Sequence, residues 1–157
     1  MATYNVSWVE QVNAAGNECV LTLDELWQGC LLLARSPQIF TSAISKCELD
    51  ADDGNNITRT LYFSEGPQTE LKQSVSLSPG TKFECESETG NRVTTMVFRG
   101  LSGSIDDAYL SIEYAIPIAN MGPDLESAKQ SYAAKAKQNL VEGVKTMREL
   151  KAQGKLG

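Results

Sequence analysis

The sequence predicts an α+β fold in which a curved antiparallel sheet of seven strands is covered by one long C-terminal helix. Three observations lead there. Residues 43–117 alternate apolar and polar side chains between turn residues and never settle into a helical stripe. Residues 123–152 repeat apolar side chains at three- and four-residue spacing without a break. The only other helical patterns are short and follow the first strand directly. A sheet joined by short hairpins twists and curls, and only the final helix is long enough to cover its apolar face.

"TYNVSWVEQV" is the first strand, with Tyr4, Val6, Trp8 and Glu10 on one face. In "LTLDELWQGCLLLARSP", Thr22 followed by Glu25 forms a capping box, and Leu23, Leu26, Trp27, Cys30 and Ala34 form a helical stripe. Ser36-Pro37 ends that helix and starts a second short one running to Phe40. Strands follow near 43–50, 56–63, 69–77, 82–89, 92–99 and 109–117, separated by "DADDGN", "SEGPQ", "SPG" and a two-residue hairpin signal at Gly90-Asn91. Pro123, Asp124 and Glu126 suit the start of the long helix, and Gly154 suits its end. Its inward stripe is Leu125, Ala128, Tyr132, Ala136, Leu140, Gly143, Met147 and Leu150. No linker, repeat or low-complexity tract divides the chain, so residues 1–157 are expected to form a single domain.

A net charge of −6 argues against nucleic acid or an anionic membrane surface as partner. No apolar run approaches the ~20 residues that span a bilayer, so membrane insertion is not expected. The N-terminus has neither a basic stretch nor an apolar signal region, and a cytoplasmic location is the expectation. The four cysteines are widely spaced and are expected as free thiols.

The chain contains no histidine, which excludes His-dependent nucleophile systems and imidazole-built metal sites. No glycine-rich phosphate loop follows a strand, and Asp50, Asp52 and Asp53 read as a solvated turn. No cofactor and no metal are expected. Any chemistry falls to carboxylates, Tyr, Arg, Lys, Cys and amides.

One residue breaks the apolar pattern. In "NITRTLYF" the inner face reads Ile57, Arg59, Leu61, Phe63. Four assumed hairpin registers place Arg59 opposite Gln73, Gln73 opposite Ser87, Ser87 opposite Thr94 and Thr94 opposite Tyr114. An apolar row of Ile57, Val75, Cys85, Met96 and Ile112 runs beside this polar one, with Leu77, Phe83, Phe98 and Leu110 beyond. The polar row either satisfies itself internally or faces a ligand. Glu48, Glu70, Glu84, Glu86 and Glu113 all point outward, and Glu10 lies on a distant strand. An arginine without a fixed counter-ion suits an anionic or enolisable ligand group. On that reading Arg59 serves a ligand and is dispensable for folding.

The element order, together with "LDELWQGCLLLARSPQIFTSAISKCEL", "NITRTLYFSEG" and "TELKQSVSLSP", resembles the AtaL-like branch of the helix-grip superfamily, which includes START domains and the birch-pollen allergen (SRPBCC). The resemblance spans roughly residues 4 to 150. It implies an apolar cavity, with roles from lipid carriage to polyketide cyclisation, in a branch met in bacteria and in fungal secondary-metabolite clusters.

Two functions follow as expectations. The first is a cofactor-independent enzyme of secondary metabolism that cyclises or isomerises a small hydrophobic polyketide- or terpenoid-type intermediate. Arg59 and Tyr114 would be its catalytic groups. Gln73, Ser87, Thr94, Phe83, Met96, Phe98, Ile112, Tyr132 and Asn139 would contact the substrate. The second is a carrier with the same cavity and no turnover. The partner is a small hydrophobic metabolite in either case, and the protein is a monomer or a homodimer.

Overall fold

The computed structural model describes residues 2–17 and 19–156. Strand β1 (Thr3–Gln11) is followed by helix α1 (Leu23–Arg35) and a single 3-10 turn (Pro37–Ile39). Six strands come next: β2 (Ile44–Asp52), β3 (Asn56–Phe63), β4 (Glu70–Ser78), β5 (Lys82–Ser87), β6 (Arg92–Arg99) and β7 (Ala108–Pro117). Helix α2 (Leu125–Ala152) closes the chain. The strands form one antiparallel sheet in the order β1-β7-β6-β5-β4-β3-β2, the α+β arrangement that the sequence pattern implies.

The helix ends follow from local chemistry. The Thr22 hydroxyl accepts from the Glu25 amide at 3.1 Å, and the Glu25 carboxylate accepts from the Thr22 amide at 3.0 Å. Lys151 of α2 reaches the same carboxylate at 2.8 Å, which with the capping bonds holds Glu25 below its usual range. Asp124 caps α2 by accepting from the Ser127 amide at 3.1 Å. The inner faces of sheet and helices meet in one core that includes Leu26, Cys30, Ile57, Val75, Leu110, Val144 and Met147. Burying such side chains stabilises the fold by roughly 1.5–3 kcal/mol each. All four cysteines are unpaired. Among the described residues no helix is long and apolar enough to cross a membrane.

Strand β1 lies against α2 through two side-chain donors. The Tyr4 hydroxyl donates to the Lys129 carbonyl at 3.3 Å, and the Trp8 indole N–H donates to the Ala133 carbonyl at 3.0 Å. Glu10 shares this inner face, where burial raises its carboxyl and the neighbouring Arg148 lowers it. Its electrostatic partner is therefore on α2 and is not Arg59.

Two of the four hairpin registers hold. Arg59 pairs with Gln73 and Leu61 with Leu71; Gln73 pairs with Ser87 and Leu77 with Phe83. The other two do not. The β5–β6 loop has three residues, Glu88-Thr89-Gly90, with Ser87 bonded to Asn91 at 2.8 Å. Gly90 supplies the left-handed position (φ 93°) of a three-residue hairpin. Cys85 thus pairs with Val93, and Glu84 with Thr94. On the other side Val93 pairs with Tyr114, and Thr94 with Glu113. Each expected register is wrong by an odd number of residues, which reverses the face of β6. Thr94, Met96 and Phe98, expected in the cavity, lie on the outer face, and Val93, Thr95 and Val97 face inward. The two errors cancel for β7, so Tyr114, Ile112 and Leu110 face inward as expected.

Candidate functional site

Between the sheet and α2, near the end of α1, lies a mostly apolar cavity of about 190 Å³. Its greasy walls are Leu33, Phe40, Ile44, Phe83, Val93 and Ile112. Arg59, Gln73, Thr95, Tyr114 and Asn139 supply its polar groups, and Glu142 and Gly143 belong to its α2 side. A wider depression of about 350 Å³ on the outer face is bordered by Asp50, Lys72, Glu86 and Glu88 and open to solvent. The inner cavity combines apolar walls with a few convergent polar groups, the usual form of a small-molecule site.

Arg59 is 5% exposed and is held at four points. Its Nε–H donates to Gln73 Oε1 at 2.9 Å. Nη1 donates to the carbonyls of Leu33 at 3.1 Å and Ala34 at 2.5 Å, and Nη2 lies 3.5 Å from Cys85 Sγ. The two carbonyls belong to the last turn of α1, whose final C=O groups have no partner within the helix. Leu33 would ordinarily accept from the residue four positions on, which is Pro37 and has no N–H. The guanidinium takes that amide's place and puts positive charge at the negative end of the helix dipole. Arg59 has no carboxylate counter-ion among the described residues, but it does have a fixed anchor, which the sequence reading did not include. Its partner is a helix end and not a carboxylate, and a search for acids could not find it. One Nη2 N–H of the five has no protein acceptor among the described residues.

Gln73 continues the chain of bonds, donating through Nε2 to the Ser87 hydroxyl at 3.2 Å. Ser87 thus stands behind Gln73 and does not line the cavity. Tyr114, 6% exposed, accepts from Asn139 Nδ2 at 2.5 Å. Its own hydroxyl proton has no acceptor among the described residues. Burial pushes the Tyr114 phenol up; the Asn139 hydrogen bond works against this, and the neighbouring Tyr132 and Cys85 add to it. Tyr132 packs edge-on against Tyr114 with ring centroids 6.5 Å apart, supporting the phenol from outside the cavity. Cys85 is fully buried, and burial raises its thiol while Arg59 lowers it, so it is a protonated wall residue at neutral pH.

Of the residues expected at the site, Arg59, Gln73, Phe83, Ile112, Tyr114 and Asn139 come together in the cavity. Ser87 and Tyr132 support them from behind, and Thr94, Met96 and Phe98 are on the other side of the sheet. Sequence reasoning missed Thr95 and Val93 through the β6 register. It missed Phe40, Thr41 and Ile44 because they lie in and just after the turn that follows α1.

A long helix gripped by a curved antiparallel sheet, with an apolar chamber between them, defines the helix-grip (SRPBCC) superfamily. Within it the chain belongs to the AtaL family, described as acetylaranotin biosynthesis cluster protein L, which matches residues 6–154. No curated protein matches the chain in sequence. Among solved structures it is similar to the ZhuI aromatase/cyclase from Streptomyces sp. R1128, with a TM-score of 0.67 and 11% identity over 94% of this chain and 93% of that one. The di-domain aromatase/cyclase StfQ of the steffimycin biosynthetic pathway gives a TM-score of 0.69 and 10% identity, covering 96% of this chain and 52% of that one. Ara h 8.0201 gives 0.63 and 9% identity over 93% and 97%. At these identities the likenesses show the fold.

Proposed function

We propose that this protein is a cofactor-independent cytoplasmic enzyme of secondary metabolism, of the fungal-cluster type, that isomerises or cyclises a small hydrophobic polyketide- or terpenoid-type intermediate. The AtaL family and the aromatase/cyclase neighbours support the substrate class. The observation that carries the reading is Tyr114, a buried phenol whose oxygen is already held by Asn139 and whose proton has no protein acceptor among the described residues. In an apolar chamber such a donor strengthens its hydrogen bond as charge develops on a substrate carbonyl oxygen during enolisation. The remaining Nη2 N–H of Arg59 is a second donor for the same oxygen or for a carboxylate. Glu142, an exposed carboxylate on the α2 side of the cavity, is the group available among the described residues to accept the carbon-bound proton.

A second reading, a carrier without turnover, draws on a different observation. Four of the five Arg59 N–H groups are already engaged, two of them by α1, which leaves few free polar groups in the chamber. Exchange of the α-protons of 2-tetralone in D2O, followed by proton NMR, separates the two. The enzyme reading expects exchange faster than in buffer and a loss of at least tenfold in Tyr114→Phe, with 2-tetralone affinity changed much less. Binding of 2-tetralone without accelerated exchange would leave the carrier.

A further inference from the structure

Each helix contains one glycine, Gly29 in α1 and Gly143 in α2. Glycine is among the least favourable residues in a helix interior, so each position calls for a reason. Gly29 has a packing reason. A Cβ there would lie 2.6 Å from Met147 Sδ and 2.7 Å from its Cγ, so the glycine allows α1 and α2 to approach. Gly143 has no such reason. It is buried, its φ is not positive, and a Cβ built on it meets no atom within 4 Å. Neither close packing nor backbone conformation requires glycine at this position. What a side chain would enter is empty space, and that space is the cavity, which Gly143 lines with Asn139 one helical turn before it.

The cavity's size makes this missing side chain consequential. At about 190 Å³ it only modestly exceeds the ~150 Å³ that encloses a benzene. One or two methyl groups on the wall then decide between one ring and two. The rest of the buried α2 stripe, Ala136, Leu140, Val144, Met147 and Leu150, is filled with side chains, so the bare stretch of wall is local.

We propose that Gly143 is a specificity-determining residue. Its missing side chain gives the cavity the depth to accept a flat, fused two-ring oxygenated compound beside Tyr114, where an alanine or larger residue would restrict it to a single ring. This rests on the reading of the cavity as the ligand site. It adds a size class for the ligand that neither the polar groups nor the family supplies.

The test is isothermal titration of the full chain and of Gly143→Ala and Gly143→Val with phenol and 2-naphthol, alongside thermal melts. The expected result is that Gly143→Ala melts at or above the wild-type temperature, because alanine favours the helix. The ratio of 2-naphthol to phenol affinity should fall at least tenfold in Gly143→Ala and further in Gly143→Val. If wild type binds 2-naphthol and both variants keep the wild-type ratio, Gly143 does not set the depth and the proposal is wrong. It is equally wrong if both variants melt early and lose the two probes alike, since the glycine would then be structural. Wild type binding neither probe would remove the ligand-site reading itself, and this proposal with it.

Discussion

Replacing Arg59 with Met should destabilise the protein in the absence of any ligand. The Met stem retains much of the apolar contact, but the Nη1 donors disappear and the carbonyls of Leu33 and Ala34 lose their partners, at a position where Ala34 is 0% exposed. A stranded buried acceptor costs about 1–3 kcal/mol, and removing a buried charge offsets part of the total. A net loss of about 2–4 kcal/mol follows, which at roughly 2–4 °C per kcal/mol for a chain of this length lowers Tm by about 5–15 °C. Circular-dichroism melts read it directly. Pro37→Ala gives a sharper test, because it returns an N–H to the position that Leu33 would use. In that background Arg59→Met should cost less, because one orphaned carbonyl has an alternative donor, and a double-mutant cycle measures the difference. An Arg59→Met protein melting within about 2 °C of wild type, or costing the same with and without Pro37, would refute the helix-end role.

Two further outcomes are expected. Gly29→Ala should cost about 1–3 kcal/mol through overpacking against Met147, offset by about 1 kcal/mol of helix propensity, so the urea midpoint should fall with an unchanged m-value; a midpoint above wild type would mean that Met147 yields freely. Burial pushes the Cys30 thiol from 9.0 to about 12. The unfolded chain therefore ionises first as pH rises: stability is intact below pH 9 and falls across the window up to about 12, by about 1.4 kcal/mol per unit at most from this group. Urea midpoints at pH 8 and 10.5 should drop less in Cys30→Ala than in wild type, and parallel drops would assign the alkaline loss elsewhere.

What could be read in the sequence was whatever local chemistry specifies. The capping box at Thr22, the break at Pro37 and the phase of α2 all follow from neighbouring residues, and they appear where expected. The registers assumed between β3 and β4 and between β4 and β5 match those of the structure. Strand β6 failed for a physical reason. Val93 and Val97 on one face are matched by Met96 and Phe98 on the other, and adjacent threonines occupy both, so alternation carries no phase. Only the loop length could decide, and Gly90-Asn91 looked like a two-residue turn when Gly90 was the last of three. The partner of Arg59 was half visible. Pro37 announces an orphaned carbonyl at Leu33, but that β3 passes beneath that helix end is a tertiary fact. Gly143 could be read as inward-facing, whereas the emptiness beside it could not.

Tyr4 and Trp8 act at a distance from the chamber they help to define. Their donors hold two carbonyls of α2 one turn apart, Lys129 and Ala133, against an edge strand. A rod clamped at two points along one side can neither slide lengthwise nor roll about its axis. The clamp acts with the core packing of α2 to orient what lies further along it, Asn139 toward Tyr114 and the bare wall at Gly143. Removing the indole N–H would free a small rotation at the clamp, and the same rotation would arrive three turns later as a changed shape in the cavity. The edge strand works as the keel of the molecule, and the chamber amidships takes its alignment from it.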